Sequence, residues 1–395
     1  MRWQNNLHRF ASGKEGVISK PQNEHNSNRK AITMRWLKYV IGVFCLAITG
    51  CSLLKSSSGI KAEPVQFFYA DEYRQGQGFA VLADRRIFTV MAFLNATGYD
   101  EEVQGQQMHP VRVRVRKMVA DSLKDKPEKL AAWRQYYKTS GLATFHYQDF
   151  VLSLCADYPF RRIRRDNELG YQWTAGRLRD FPDVLNDFWV TAKLANVWSE
   201  IKSDYVAEIN KYDMEKMGRQ MSFLWEYLRM SRQDAFVIVN VPDLINCHYH
   251  AIGAKYENYY YCVESPGSHS YDLDIHEYLH SVVNRIVETN YSKYSTKLQD
   301  YYSAGKTGPM SKTYQQPVTF ASECLVRALD DRLHVLLAND PAVTKRLEGR
   351  VADLTRDGLM LTQPFYLLLK EYENSTLNFE EFIPVMFRQV PEYKN

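Results

Sequence analysis

The sequence predicts an α+β fold that is mostly helical, with a small antiparallel sheet next to one helix. Apolar residues recur at spacings of three and four between residues 110 and 232, which is typical of helices that face a core. Two β-rich runs at 235–241 and 259–263 interrupt this pattern, and turn-forming residues bound them. A helical pattern resumes at about residue 273. We therefore expect an antiparallel sheet over 235–264 beside that helix.

The same patterns place the remaining elements, which are a strand at 65–69, helices at 87–94, 273–287 and 318–337, and a loop at 302–315. The first of these helices is expected to end near Gly98. Asp272 and Asp274 suit the N-terminus of the second helix, where acidic side chains are favourable. Two or three amphipathic helices complete the chain.

Composition and charge describe a globular chain. Apolar residues make up 45% and aromatic residues 13% of the 395 positions, which suits a packed core. Residues 1–50 hold eight of the 50 Lys and Arg but two of the 46 Asp and Glu, so the rest is near neutral, with 42 basic and 44 acidic residues. The basic run at 161–165 is interpreted as a solvated helix face. We therefore expect no nucleic-acid partner.

The N-terminal region has the pattern of a bacterial lipoprotein signal. Arg35 and Lys38 precede a short apolar stretch that ends in the sequence ITGC at 48–51. The stretch is too short for a stable transmembrane helix, and its end resembles the lipobox, in which the cysteine is lipidated. We therefore predict a lipoprotein signal peptide at 34–50 and a lipid anchor at Cys51. An ordinary signal peptide or an anchor helix is the alternative.

These features divide the chain into segments. The residues at 34–36 repeat the first three residues, so 1–33 are predicted to be a mis-assigned extension or disordered. Residues 51–60 read as a flexible tether. Ser52, where some lipoproteins have aspartate, favours delivery to the outer membrane of the cell envelope. The mature chain is then divided into a mainly helical part at 61–232 and a second part at 233–395, or it forms one continuous domain at 61–395.

Four cysteines remain in the mature chain, namely Cys155, Cys247, Cys262 and Cys324. Their spacing differs from that of a CxxC metal site. Four cysteines allow three pairings, and the sequence does not choose among them. Cys247 and Cys262 flank a plausible hairpin, so a disulfide there and buried free thiols are both open interpretations.

One helix carries the residues that predict chemistry. His276 and His280 are four residues apart in the sequence HEYLH, so both imidazoles lie on one helix face and can bind one metal ion. Glu277 lies about 100° further round the helix, where it can accept a proton from a metal-bound water. Two neutral imidazoles leave the charge of Zn²⁺ available to acidify that water. An ordinary helix with two surface histidines is the alternative.

A catalytic zinc ion usually has three protein ligands. A histidine six residues after His280 would complete one class of site, but that position is Ile286. Glu323 is instead an isolated acid in an apolar helix, where a carboxylate is unfavourable without a partner. We therefore predict Glu323 as the third ligand. An ion pair with Arg327, one turn further on, is the alternative.

With this ligand set the chain resembles the gluzincins, and more closely a family of bacterial secreted HExxH proteins. The resemblance rests on the 276–280 motif, Asn284, Ser322-Glu323 with Arg327-Ala328, and a helix ending near Gly98-Tyr99. It implies a zincin-like fold, with 233–395 as the catalytic part, and peptidase-type hydrolysis. Thermolysin-like members place an aspartate four residues after the ligand glutamate, where Arg327 stands here. Asn284 and Arg327 are therefore candidates for orienting the ligands.

The reaction also needs a donor for a developing oxyanion. His248 and His250 share one face of the preceding sheet, so they are candidates for this donor or are surface residues. The sequence thus predicts a monomeric, lipid-anchored zinc metallopeptidase that acts on a peptide or protein substrate, with Glu277 as general base. The alternatives are a cell-envelope binding or scaffold lipoprotein with a structural or vestigial zinc site, and a zinc amidase acting on cell-wall peptides.

Overall fold

The computed structural model of the chain describes residues 73–76, 78–99, 108–230, 237–246, 250–252, 259–267 and 271–393. These residues belong to one compact unit, Phe67–Asn395. The predictions for the segments at 1–33, 34–50 and 51–60, for Cys51, and for the strand at 65–69 fall outside the described residues. No helix within the described ranges is long and apolar enough to cross a membrane.

Twelve α-helices and five short strands make up the described ranges. The helices are α1 (Arg85–Thr97), α2 (Pro110–Leu123), α3 (Pro127–Ser140), α4 (Thr144–Leu152), α5 (Phe181–Thr191), α6 (Leu194–Ile209), α7 (Met214–Leu228), α8 (Tyr271–Gly305), α9 (Pro317–Ala338), α10 (Pro341–Arg356), α11 (Thr362–Glu373) and α12 (Phe379–Gln389). The strands are β1 (Tyr73–Gly76), β2 (Phe79–Leu82), β3 (Val237–Pro242), β4 (His250–Ile252) and β5 (Tyr259–Glu264). The prediction of a mostly helical fold with a small sheet is confirmed.

The five strands form one mixed sheet in the order β1-β2-β3-β5-β4. β2, β3 and β5 are parallel, with Val239 of β3 opposite Ala80 on one side and Tyr261 on the other. β1 and β4 are antiparallel to their neighbours and form the two edges. The prediction of an antiparallel sheet over 235–264 is correct for β4 and β5 but wrong for β3 and β5. These two strands are parallel because β4 lies between them in sequence but on the outer side of β5 in the sheet.

Helix α1 is buried along most of its length in the N-terminal half. It begins where the Asp84 carboxylate accepts the backbone N–H of Arg86 at 2.8 Å. It ends at Gly98, whose φ of +143° is a conformation that glycine adopts without strain. Between these ends, Phe93 packs edge-on against two phenylalanine rings of α5. The helix predicted at 87–94 is confirmed, with two more residues at its start.

Helices α8 and α9 pack against each other and form the centre of the C-terminal half. The buried residues of α8 include Tyr278, which contacts the ring of Trp225 in α7. α8 continues 18 residues beyond the predicted end at 287, because α12 supports its second half. Lys297 of α8 donates a hydrogen bond to the Val390 carbonyl at 2.8 Å. The helix predicted at 318–337 is confirmed as α9, and three helices follow it.

Three glycines join the end of α8 to the turn between α10 and α11. A Cβ atom at Gly305 would overlap the carbonyl oxygen of Gly358, and one at Gly308 would overlap that of Asp357. Gly358 also has a φ of +110°, which disfavours residues with a side chain. The Ser311 hydroxyl donates a hydrogen bond to the Gly305 carbonyl in the same junction. The two backbones are therefore in direct contact and leave no room for side chains.

Two minor predictions have different outcomes. The prediction of a helix face at 161–165 is wrong, because the backbone there is irregular and Arg162 forms an isolated bridge to Leu154. Cys155 and Cys324 are free thiols. Cys262 is buried in β5, whereas Cys247 lies outside the described residues, so their pairing stays untested.

Candidate metal centre

Helix α8 presents two histidines to α9, and α9 presents one glutamate to α8. His276, His280 and Glu323 each offer a ligand atom, and these atoms all lie within 4.8 Å of one another. The Nε2 atom of His280 is 3.3 Å from Oε2 of Glu323, and that of His276 is 3.9 Å from Oε1. The imidazole planes are 82° apart, so the rings approach the centre from different directions. The structure therefore brings the three predicted ligands together.

The spacing and chemistry of these atoms fit zinc. With zinc–ligand bonds of about 2.0–2.2 Å, the ligand atoms of a tetrahedral site lie roughly 3.3 Å apart. Oε2 of Glu323 lies at this distance from His280 Nε2, at 3.3 Å, and the three ligand atoms all lie within 4.8 Å of one another, so metal binding needs only a modest side-chain adjustment. Two imidazoles and one carboxylate also match the three-ligand set of catalytic zinc sites, which leaves one position open.

The three side chains lie in a desolvated environment. His276 is 7% exposed and Glu323 is 4% exposed. Burial alone would raise the pKa of Glu323, but Arg327 and the two imidazoles outweigh burial and hold it well below its ordinary value. Burial likewise would lower the pKa of His280, but the hydrogen bond and charge of Glu323 raise it to about 9. Without a metal ion, a proton therefore stabilises the His280–Glu323 pair, and a metal must displace that proton.

The second nitrogen of each histidine faces an oxygen atom. His280 Nδ1 lies 3.2 Å from Oδ1 of Asn284, one turn further along α8. His276 Nδ1 lies 3.7 Å from Oδ2 of Asp330 in α9. Such partners favour the tautomer that carries its proton on Nδ1 and leave Nε2 free to bind a metal. Asn284 thus lies where it was predicted, and Asp330 is a contact that the sequence reasoning missed.

Asp330 is itself fixed by other side chains. His334 Nδ1 hydrogen-bonds to the backbone carbonyl of Asp330 at 2.8 Å and lies 3.1 Å from its Oδ1, and Arg350 is 3.5 Å from its Oδ2. Burial would raise the pKa of Asp330, but contacts with His276 and His334 lower it. The sequence did carry a signal for this residue: Asp330 follows Glu323 by seven residues, or two helical turns, and so shares its face of α9.

Arg327 contacts the predicted ligand directly. Its Nε atom donates a hydrogen bond to Oε1 of Glu323 at 2.6 Å, one turn along α9. The sequence offered two interpretations of Glu323, a metal ligand or an ion-pair partner of Arg327. In the structure the two arrangements coexist, because Oε1 meets Arg327 while Oε2 is nearer to His280.

Glu277 is half-buried on the adjacent face of α8. Its charge acts on two phenols, Tyr260 of β5 and Tyr171 of the segment between α4 and α5. Burial is the main cause that raises the pKa of both, and the Glu277 carboxylate contributes to each; the pKa of Tyr171 reaches about 12. The buried Asp149 holds Tyr171 in place by accepting its backbone N–H at 2.9 Å. Tyr171 is more than 100 residues from the motif, so nothing in the local sequence pointed to it.

The predicted oxyanion donors lie largely beyond what the structure describes. His250 begins the edge strand β4, opposite Val263 of β5. Its side chain is not among the described ones, and His248 is outside the described residues, so both stay predictions.

The arrangement can hold a divalent metal ion through two imidazoles and one carboxylate, with a second carboxylate beside it. Comparison of the chain with protein-family models, with curated proteins and with solved structures gives no match.

Proposed function

We propose that the protein is a zinc-dependent hydrolase of peptide bonds that is exported and anchored through a lipid on Cys51. The observation that supports this most is the convergence of His276, His280 and Glu323 within 4.8 Å in a buried site. Chance clustering of surface histidines does not explain it, because each imidazole also has an oxygen partner at Nδ1.

Each residue then has a defined role. His276, His280 and Glu323 would hold the metal, and Asn284 and Asp330 would orient the two imidazoles. A zinc ion bound there would supply a Lewis acid that lowers the pKa of a coordinated water towards neutrality. Glu277 would accept the proton of the attacking water and pass it to the leaving amine.

Two phenols are suitable donors for the developing oxyanion. The charge of Glu277 acts on both Tyr171 and Tyr260, and a phenol is protonated at neutral pH. A protonated phenol can donate to an oxygen that becomes negative as water adds to a carbonyl. These residues therefore join His248 and His250 as candidates for that role.

The position of the sheet agrees with a zincin-like arrangement, which is part of the same proposal. β5 packs against α8, and the antiparallel strand β4 forms the sheet edge next to β5. An edge strand offers unpaired backbone groups to which an extended peptide can add. A peptide bound in this way would lie along the sheet close to the motif helix.

Metal analysis of the purified full-length protein tests the proposal. We expect one zinc ion per chain, lost in His276→Ala and in Glu323→Ala. Glu348→Ala is the matched control, because Glu348 forms a surface ion pair with Lys370 and should leave zinc binding unchanged. A parent protein without zinc, or one whose zinc persists in both site variants, would overturn the proposal.

Hydrolysis of a quenched-fluorescent peptide library distinguishes the proposed peptidase from a scaffold lipoprotein and from an amidase. A scaffold lipoprotein with a structural or vestigial zinc site binds zinc but cleaves nothing, and it has no need of Glu277. Cleavage confined to peptides of cell-wall composition would instead identify an amidase.

A further inference from the structure

The two carboxylate oxygens of Glu323 have different surroundings. Oε1 accepts a hydrogen bond from Arg327 Nε at 2.6 Å and is 3.9 Å from His276 Nε2, whereas Oε2 is 3.3 Å from His280 Nε2. The side chains of Glu323 and Arg327 are 5% and 20% exposed. A charge-assisted hydrogen bond in such a desolvated place is strong and fixes the carboxylate plane.

A third side chain supports this pair. Tyr314, which precedes α9, is buried, and its side chain hydrogen-bonds with both Glu323 and Arg327. The Arg327 guanidinium is therefore held from two sides. Rotation of the Glu323 carboxylate would break contacts with both neighbours.

This asymmetry matters because a carboxylate can occupy one or two positions on a metal. Two imidazoles and a carboxylate bound through both oxygens occupy four positions, so a coordinated water then makes the zinc ion five-coordinate. Two imidazoles and a carboxylate bound through one oxygen leave the fourth position open, as catalytic zinc sites do.

We propose, on the basis of the zinc site proposed above, that Arg327 is a positioning residue that engages Oε1 and limits Glu323 to one metal-binding oxygen, Oε2. Arg327 thereby keeps the metal ion four-coordinate, with the fourth position available to water. It also disfavours larger cations such as Ca²⁺, which take six to eight oxygen ligands and often bind carboxylates through both oxygens.

Cobalt substitution of the metal-free full-length protein tests this proposal. Four-coordinate Co²⁺ absorbs visible light strongly, and additional ligands weaken the absorption. We expect a strong four-coordinate spectrum in the parent and a weaker one in Arg327→Met, in which Glu323 is free to bind through both oxygens. Arg327→Lys, which keeps a positive hydrogen-bond donor, should restore at least part of the parent intensity.

Arg332→Met is the matched control, since Arg332 lies on the same helix but pairs with Glu373, outside the metal-binding group. Its spectrum should equal that of the parent. If Arg327 had only a structural role, Arg327→Met and Arg327→Lys would change thermal stability without changing the cobalt spectrum.

X-ray absorption at the zinc edge of the parent protein keeps the proposal open to test if Arg327→Met does not fold. The distance from zinc to the carboxylate carbon reports how many oxygens bind. The longer distance of a one-oxygen carboxylate is expected, and the shorter distance of a two-oxygen carboxylate would overturn the inference. Equal cobalt spectra in the parent and Arg327→Met would also overturn it while leaving the zinc site intact. Failure of the parent to bind Co²⁺ or Zn²⁺ would instead remove the proposed function on which the inference rests.

Discussion

His276 and Asp330 connect α8 to α9 through a contact of 3.7 Å between Nδ1 and Oδ2, separate from the contacts of Glu323. An orienting carboxylate of this kind strengthens metal binding by fixing the ring and its tautomer. We expect Asp330→Asn to lower zinc affinity roughly 10- to 100-fold, as is usual for such partners. Competition with a chromophoric chelator measures the change.

The neighbouring residue provides the control for that measurement. Asp331 is fully buried and pairs with Arg350 through a 2.6 Å hydrogen bond, whereas Asp330 is the residue that faces His276. Asp331→Asn should therefore retain zinc affinity even if it lowers stability. Equal losses of affinity in the two variants would show that the effect comes from damage to α9.

Glu277→Gln should separate metal binding from catalysis. The amide has the shape of the carboxylate but cannot accept a proton, so zinc content should stay at the parent level. Loss of a general base lowers kcat by about 10²- to 10⁴-fold in typical enzymes. Glu288→Gln, an exposed position on the same helix, should have the parent's kcat. A Glu277→Gln variant that cleaves as fast as the parent would contradict the assignment of Glu277 as general base.

Asp243 should make stability depend on pH. Its Oδ1 atom accepts the Tyr205 hydroxyl at 2.9 Å, and burial raises its pKa from 3.8 to about 7. Between these values the folded chain keeps a proton that the unfolded chain releases. The contribution of Asp243 to the free energy of unfolding therefore falls as pH rises from about 4 to about 7, by up to about 1.4 kcal/mol per pH unit.

Asp243→Asn tests this dependence because it keeps an acceptor for Tyr205 and removes the titration. The variant should gain stability relative to the parent as the pH is raised through that window. Urea unfolding of both proteins at the two ends of the window measures the difference. A difference that does not change with pH would contradict the assignment.

The glycine junction at the end of α8 should tolerate no side chain. Gly305→Ala places a Cβ atom against the Gly358 backbone, and overpacking of this kind costs about 1–3 kcal/mol. Gly349→Ala in α10 is the control, since a Cβ there meets no atom within 4 Å. Its better helix propensity should add up to about 1 kcal/mol. Thermal unfolding of both variants measures these opposite shifts, and an unchanged Gly305→Ala would refute the expectation.

Local patterns in the sequence predicted the helices well but not the sheet or the full length of α8. Periodicity finds a helix that faces a core, as in α9. The stripe in the second half of α8 is mostly tyrosine, at 291, 294 and 301 with Leu298, and such half-polar residues predict a buried helix less clearly than aliphatic ones. Contacts with α12, such as Tyr294 against Phe387, support this half. Strand direction was misjudged because two successive β-rich runs suggest a hairpin, whereas the short strand β4 lies between β3 and β5 in sequence but beyond β5 in the sheet.

The metal-binding residues were predictable because they follow a fixed helical spacing or stand alone in an apolar helix. His276 and His280 have the helical spacing, and Glu323 is the acid that stands alone. Asp330 shares the face of Glu323. It was missed because an orienting aspartate was expected one turn after the glutamate, where Arg327 stands, and not two turns after it. Tyr171 comes from a distant segment that only the tertiary fold brings to Glu277, and no spacing rule reaches it.

Because β2 pairs in parallel with β3, this part of the sheet can form only after both strands have been synthesised. Phe79 and Ile238 are partners in the sheet, so β2 cannot complete its backbone pairing until synthesis has passed residue 238. Until then, the edge of β2 that later pairs with β3 can pair with strands of other nascent chains. The sheet therefore assembles only when both halves of the chain are present. For the same reason, β3 in a fragment that starts at residue 233 would begin without its partner strand β2.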